Sequence, residues 1–223
     1  AASRFVFVSP DGADSPGRGS RATPYRTLAH AIEQASADQV LMLRRGTFLA
    51  AGVKLYDNRA KQLLAYPDEV VTLDMASSGD LTARFTGLPM GRVEGFDIVN
   101  VRQYGIVSDP SIAGLVIRHV RFVNGVEGPN ISENPAFIHG WGGDTTPYRH
   151  KLLIQENDFG RYVGAGYATT LFNAGYSLIE DNQVRLGAGV NGGFHDKDHP
   201  IHNTYRRNYL EFTDADRNSS SGI

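Results

Sequence analysis

The run His195-Asp196-Lys197-Asp198-His199, with His202 just beyond, is the densest group of ionisable side chains in the chain. If it is a strand, alternation sends His195 and Lys197 to one face and Asp196 and Asp198 to the other. Removing the C5 proton of a uronate needs a base, and the neighbouring carboxylate must be neutralised as the carbanion develops. A Lys or a His meets the first need; an Arg, a Lys or a calcium ion would meet the second. A solvated turn with Lys197 paired to Asp196 or Asp198 stays open as the simpler reading. The second candidate stretch runs from His139 to His150 and holds the single Trp among glycines. As a loop beside the same face, it would let Trp141 and Tyr148 stack on sugar rings and Arg149 pair with a carboxylate. His139, Asp144 and His150 in that stretch match no strong metal-binding spacing.

These side chains need a scaffold, and the sequence carries one in a repeat. The pattern apolar, two variable residues, Asn or apolar, one variable residue, apolar begins at Val93, Ile117, Ile154, Ile179 and Tyr205. The steps between these starts are 24, 37, 25 and 26 residues, with an insertion accounting for the long one. A period in the twenties marks a solenoid, in which each coil buries its apolar face only by stacking on its neighbours. Apolar positions 0, +3 and +5 do not form a helical stripe, and β-branched and aromatic residues fill them, so the coils are expected to be β. Asn157, Asn182 and Asn208 at +3 are expected to mark left-handed bends and to stack as a ladder of amides. Counting back 11 residues from Ile117 and Tyr205 gives Ile106 and Phe194 in another strand column. The insertion-bearing coil contributes Ala136–His139 to it. His139 and His195 then share one column two coils apart, roughly 10 Å. The exposed series Glu94, Arg118, Gln155, Glu180, Arg206 and Asp97, Arg121, Asp158, Gln183, Tyr209 read as a solvated wall.

At 223 residues the chain is expected to be one domain: residues 1–50 as an N-terminal strand and cap, residues 51–223 as coils. The coils are expected to be incomplete at the C-terminus, where Asp214 to Ile223 is polar. Eleven Phe and ten Tyr can fill a core, and 25 Gly suit its many turns. A net charge of −2 argues against nucleic acid as a partner, and no apolar run is long enough to span a membrane. Cysteine is absent, so disulfides say nothing of compartment. The start at Ala1-Ala2-Ser3 would suit a chain whose signal has been removed, or equally one simply trimmed at its start. Strands are expected at Phe5–Val8 and Val40–Leu43, with an amphipathic helix from Thr27 to Ala35.

Val8-Ser9-Pro10-Asp11-Gly12-Ala13-Asp14-Ser15, followed by Pro24-Tyr25-Arg26-Thr27-Leu28, Ala31-Ile32 and Arg45-Gly46-Thr47-Phe48, resembles the opening of the right-handed parallel β-helix proteins of the pectate-lyase-like superfamily. Those openings read as a strand, a Gly/Asp loop, a helix capping the solenoid, and a "P-G-T-Y" turn. The resemblance implies an all-β fold, a right-handed parallel β-helix with a short N-terminal capping helix. It also implies a secreted, periplasmic or cell-surface protein that takes a polysaccharide as partner. Lyases on this fold commonly use a Lys or Arg base, which makes Lys197 the first candidate, with His195 and His139 assisting. Arg217 follows at about the distance at which such lyases carry a second catalytic Arg. Gly193-Phe194-His195-Asp196-Lys197 is similar to the "D-P-H-D" stretch of β-helical alginate C5-epimerases, His195 and Asp196 matching its His-Asp pair. Asn191, Gly192, Gly193 and Phe194 stand where the calcium lyases carry acidic ligands, so no cofactor is assigned, calcium being the one candidate. The expected function is β-elimination on a uronate polymer; C5-epimerisation and a non-catalytic binding or adhesin-type solenoid are the alternatives.

Overall fold

The computed structural model describes residues 3–53, 60, 62–76, 85–86, 91–108, 114–126, 134–141, 151–185 and 192–211. They form an all-β fold with one short helix, and its strands stack in two sheets. The eight-stranded sheet joins, neighbour to neighbour, Phe5–Val8, Val40–Leu43, Gln62–Ala65, Arg92–Glu94, Val116–Arg118, Leu153–Gln155, Leu178–Glu180 and Thr204–Arg206. The thirteen-stranded sheet holds two parallel ladders. One runs from Gly46–Leu49 through Val71–Asp74, Asp97–Val99, Arg121–Val126, Asp158–Val163 and Gln183–Arg185 to Tyr209–Glu211. The other joins Phe85–Thr86, Tyr104–Ser108, Ala136–Trp141, Tyr167–Phe172 and Gly192–Lys197. Val101–Arg102 links the two through an antiparallel contact of Arg102 with Tyr104; every other strand pairing in both sheets is parallel.

The repeat starts fall in one register. Val93, Ile117, Ile154, Ile179 and Tyr205 are successive partners, and the +5 residues Ile98, Phe122, Phe159, Val184 and Leu210 align in the next ladder. The first four of each column are buried. Each such aliphatic or aromatic side chain contributes about 1.5–3 kcal/mol by leaving water. Phe122 and Phe159 stack face to face at 5.0 Å. The column of starts extends backwards to Leu63, Leu41 and Val6, which share the parallel register and the core.

The amide ladder is present. Asn157 Nδ2 donates to Asn182 Oδ1 at 3.0 Å, and Asn182 Nδ2 to Asn208 Oδ1 at 2.9 Å. The same oxygens accept the backbone N–H of Asn157 and Asn182, so each buried amide is satisfied on both sides. The bend itself sits one residue earlier than expected. Gly95, His119, Glu156, Asp181 and Arg207, at +2, carry the positive φ of 52–86°. The Asn at +3 is there for its hydrogen bonds; the left-handed residue varies in type because the neighbouring rungs fix it in place.

At the N-terminal end the helix Leu28–Gln34 buries Leu28, Ala31 and Ile32. Thr27 caps it by accepting from the His30 N–H, and Asp14 holds Arg26 N, Thr27 N and the Thr27 hydroxyl. The first strand does not present a bare edge. Phe7 N–H donates to Gly19 O and accepts, through its carbonyl, the Tyr25 N–H. Among the described residues no helix is long and apolar enough to cross a membrane.

Candidate functional site

Three neighbouring strands, Ala136–Trp141, Tyr167–Phe172 and Gly192–Lys197, build the candidate site. Their partners are His139–Thr170–His195, Gly140–Leu171–Asp196 and Trp141–Phe172–Lys197. A Cβ on Gly140 would meet Leu171, Leu152 and Ala174, so the middle column faces the core. The two flanking columns therefore project outward. His195 and Lys197 do share an outward face, and His139 and His195 do share a column with one rung between them.

Each basic side chain of the last strand rests on a ring of the strand before it. The His195 ring stacks on Tyr167 at 4.4 Å with 18° between planes. The Lys197 ammonium stands 5.7 Å from the centre of the Phe172 ring, within cation–π range. Phe172 stacks in turn on Trp141 at 5.0 Å and 12°, and Trp141 lies against His139 at 6.0 Å. Burial, followed by the Lys197 charge, holds the His195 pKa below the ordinary histidine value; Asp196 and Asp198 oppose this without reversing it. Among the described residues, His195 Nδ1 and the Thr170 hydroxyl are buried without a hydrogen-bond partner, and Lys197 makes no ion pair.

Two expectations change on this geometry, those for Trp141 and His139, while Asp196 faces away from His195 and Lys197 as alternation predicts. Trp141 is the last residue of a strand, not part of a free loop, and its ring stacks on Phe172 and lies 6.0 Å from the His139 ring. His139 is 3% exposed, packed edge-on to Tyr104 at 4.6 Å, so its place is in the stack that supports the face. Asp196 turns away from its neighbours: Asn203 Nδ2 and the Tyr205 hydroxyl both donate to its carboxylate. It anchors the strand. Tyr148, Arg149 and Arg217 lie outside the described residues. Among the described residues no group of three or more His, Cys, Asp or Glu is placed to hold a metal, so the calcium candidate has no ligand set there.

Tyr167, Thr170 and Phe172 were not singled out from the sequence. Counting back 11 residues from Ile179, as from Ile117 and Tyr205, lands on Ala168 and would have placed this strand. No protein-family model and no solved structure matches the chain. A stretch of 44 residues is 46% identical to a protein described as uncharacterized protein YwoF, from Bacillus subtilis strain 168. That stretch is 20% of this chain and 9% of the length of YwoF.

A hollow of about 510 Å³ opens beside the site at the Thr204–Arg206 and Tyr209–Glu211 strands, floored by Phe194, Tyr205 and Leu210. These residues continue core-facing columns, in register with Thr169, Ile179 and Val184. The hollow is the end of the described stack and not a groove across its face.

Proposed function

We propose that the two sheets are the walls of a right-handed parallel β-helix capped by the N-terminal helix. On this reading the His195–Lys197 face acts on a uronate-containing polysaccharide by β-elimination. The chain's order of visits supports the fold reading: from Arg92 to Lys197 each passage through the three ladders adds one parallel strand to each in turn. The observation that carries the chemical reading is the mounting of an imidazole and an ammonium side by side on two rings, with the intervening carboxylate turned inward.

The roles divide by charge. His195, its pKa lowered, is the neutral group and takes the C5 proton on its imidazole. The Lys197 ammonium faces the uronate carboxylate and stabilises the carbanion as it forms. The C4–O bond then breaks as the C4–C5 double bond forms, and the departing oxygen takes a proton from solvent. This exchanges the base role expected of Lys197 for that of electrostatic partner. Phe172, Trp141 and His139 form a spine that holds Lys197 in place, and Tyr167 does the same for His195. A polymer substrate of this kind suits a protein working outside the cytoplasm.

Incubating the protein with alginate, pectate and glycosaminoglycans, and following the absorbance of the unsaturated uronate product, tests the reading. Product from at least one polymer, lost in His195→Ala and Lys197→Met, supports it. No product from any polymer overturns elimination; solvent proton exchange without cleavage would identify an epimerase instead, and binding alone a non-catalytic face.

A further inference from the structure

One buried polar group on the His195–Lys197 face has no task in the proposed chemistry. Thr170 stands between His139 and His195 in their outward column, in parallel register with both. Rungs lie about 4.8 Å apart, so Thr170 is the neighbour of His195 on the preceding rung. Among the described residues, Thr170 Oγ1 and His195 Nδ1 are both buried without a hydrogen-bond partner. The stack on Tyr167 fixes the plane of the imidazole, and what remains to be set is which ring nitrogen carries the proton.

Buried polar groups are nearly always paired in native proteins, and these two are complementary. A hydroxyl can accept from an imidazole N–H or donate to its lone pair. The adjacent hydroxyl of the same strand does not compete. Thr169 also lacks a partner among the described residues, but it lies in the core-facing column of Ile138 and Phe194.

Charge decides the direction of the bond. Were Thr170 to donate to Nδ1, the ring proton would sit on Nε2, the nitrogen that is not sealed inside. Lys197 shares the outward face with His195, and its charge acts on the ring. A lone pair turned toward that ammonium is favoured over an N–H. We infer that Thr170 is a positioning residue for His195. By rotation of the two side chains, with the backbone register unchanged, its Oγ1 accepts from Nδ1–H and leaves the lone pair on Nε2. The catalytic weight of this rests on the elimination reading, in which Nε2 takes the C5 proton; the opposite tautomer has no lone pair to offer there.

The test is a two-bond proton–nitrogen correlation spectrum of the whole chain with labelled histidine. It is recorded about two pH units above the ordinary histidine value, where the ring is neutral. His195→Phe identifies the resonances. The expected result is a His195 ring with its proton on Nδ1. Thr170→Val keeps the shape of the side chain and removes the hydroxyl, so it should move His195 toward the Nε2–H tautomer. It should also cut kcat on the polyuronate about tenfold with KM unchanged, the loss of one hydrogen bond. Thr170→Ser should restore both, and Thr169→Val should alter neither. An Nε2–H ring in the wild-type chain, an unchanged ring in Thr170→Val, or the same change in Thr169→Val would each overturn the inference. The wild-type spectrum needs no variant, so a Thr170→Val chain that fails to fold does not shield it. An Nδ1–H ring that is lost in Thr170→Val supports the inference even if no polymer is cleaved. Cleavage together with a ring indifferent to Thr170 overturns it and leaves elimination standing.

Discussion

The outer wall of the eight-stranded sheet and the outer face of the Tyr167–Phe172 and Gly192–Lys197 strands stand on the same kind of rung but treat charge in opposite ways. On the first wall, charges meet opposite charges across the rungs. Arg118 lies 2.9 Å from Glu94, Arg206 is 2.6 Å from Glu180, and Arg207 lies 2.7 Å from both Glu180 and Asp181. On the second face the basic groups meet rings: His195 meets Tyr167 and Lys197 meets Phe172. A parallel ladder brings residues one period apart within about 5 Å, so the residue type at one column position decides which outcome follows. Where acid and base alternate, the wall neutralises itself. Where aromatics precede a base, its charge is positioned and left available to an anion.

The largest expected effect separates the two treatments by activity. His195→Phe should lower polyuronate cleavage by about 10²–10⁴-fold, the usual contribution of a positioned general base, with an unchanged urea midpoint. Arg118→Met on the paired wall should leave cleavage intact. A reversed pattern would mean that the rings of the second face serve packing alone.

A change in what both walls share should affect them together. Asn182→Ala removes an amide that accepts from Asn157 and donates to Ile154 O. It leaves buried groups unsatisfied, and urea unfolding should show a loss of about 2–4 kcal/mol, from one or two such groups at 1–3 kcal/mol each. Smaller still, Phe172→Leu should remove about 0.5–1 kcal/mol of cation–π attraction at a partly exposed site, raising KM for the polyuronate with little change in Tm.

The pH dependence should also differ between the walls. Burial raises the Glu94 pKa, but hydrogen bonding and charge from Arg118 and Arg92 outweigh it, so the folded value lies below the ordinary glutamate value of 4.5. Glu69 is lowered too, first by its hydrogen bonds to Arg44. For both, the stabilisation is fully present above the unfolded pKa and is lost as pH falls through the folded one. Tm should hold to about pH 5 and decline below it, reported by a thermal scan across pH. Cleavage should fall separately, as protonation removes the base at a pH below the ordinary His195 value of 6.5.

How much of this was legible depends on how many rungs share a residue type. Val93, Ile117, Ile154 and Ile179 repeat an aliphatic position at steps of 24, 37 and 25 residues, near-constant but for one insertion, and three Asn repeat at +3, so their columns could be read directly. Leu41 and Leu63 belong to the same column but carry Gly46 and Asp68 at +5, where the repeat has an apolar residue, and their place in it escaped notice. The left-handed column escaped for the opposite reason: Gly95, His119, Glu156, Asp181 and Arg207 share a backbone conformation and no chemistry. Sharing of a face by His195 and Lys197 followed from alternation alone. That their supports are Tyr167 and Phe172 did not, because ring-on-ring contacts depend on the neighbouring rung and on side-chain direction. Trp141 shows the same limit, since a residue among glycines reads as a loop until its strand partners are known.

The most direct measurement follows the ring protons of His195 and His119 in one NMR titration with an oligouronate. His195 stands on the ring-supported face, and His119 stands on the paired wall between Glu94 and Glu156. A saturable shift at His195 that disappears in Lys197→Met, with His119 unmoved, is the expected result. A shift at His119 with His195 silent, or a response at His195 that survives Lys197→Met unchanged, would contradict it.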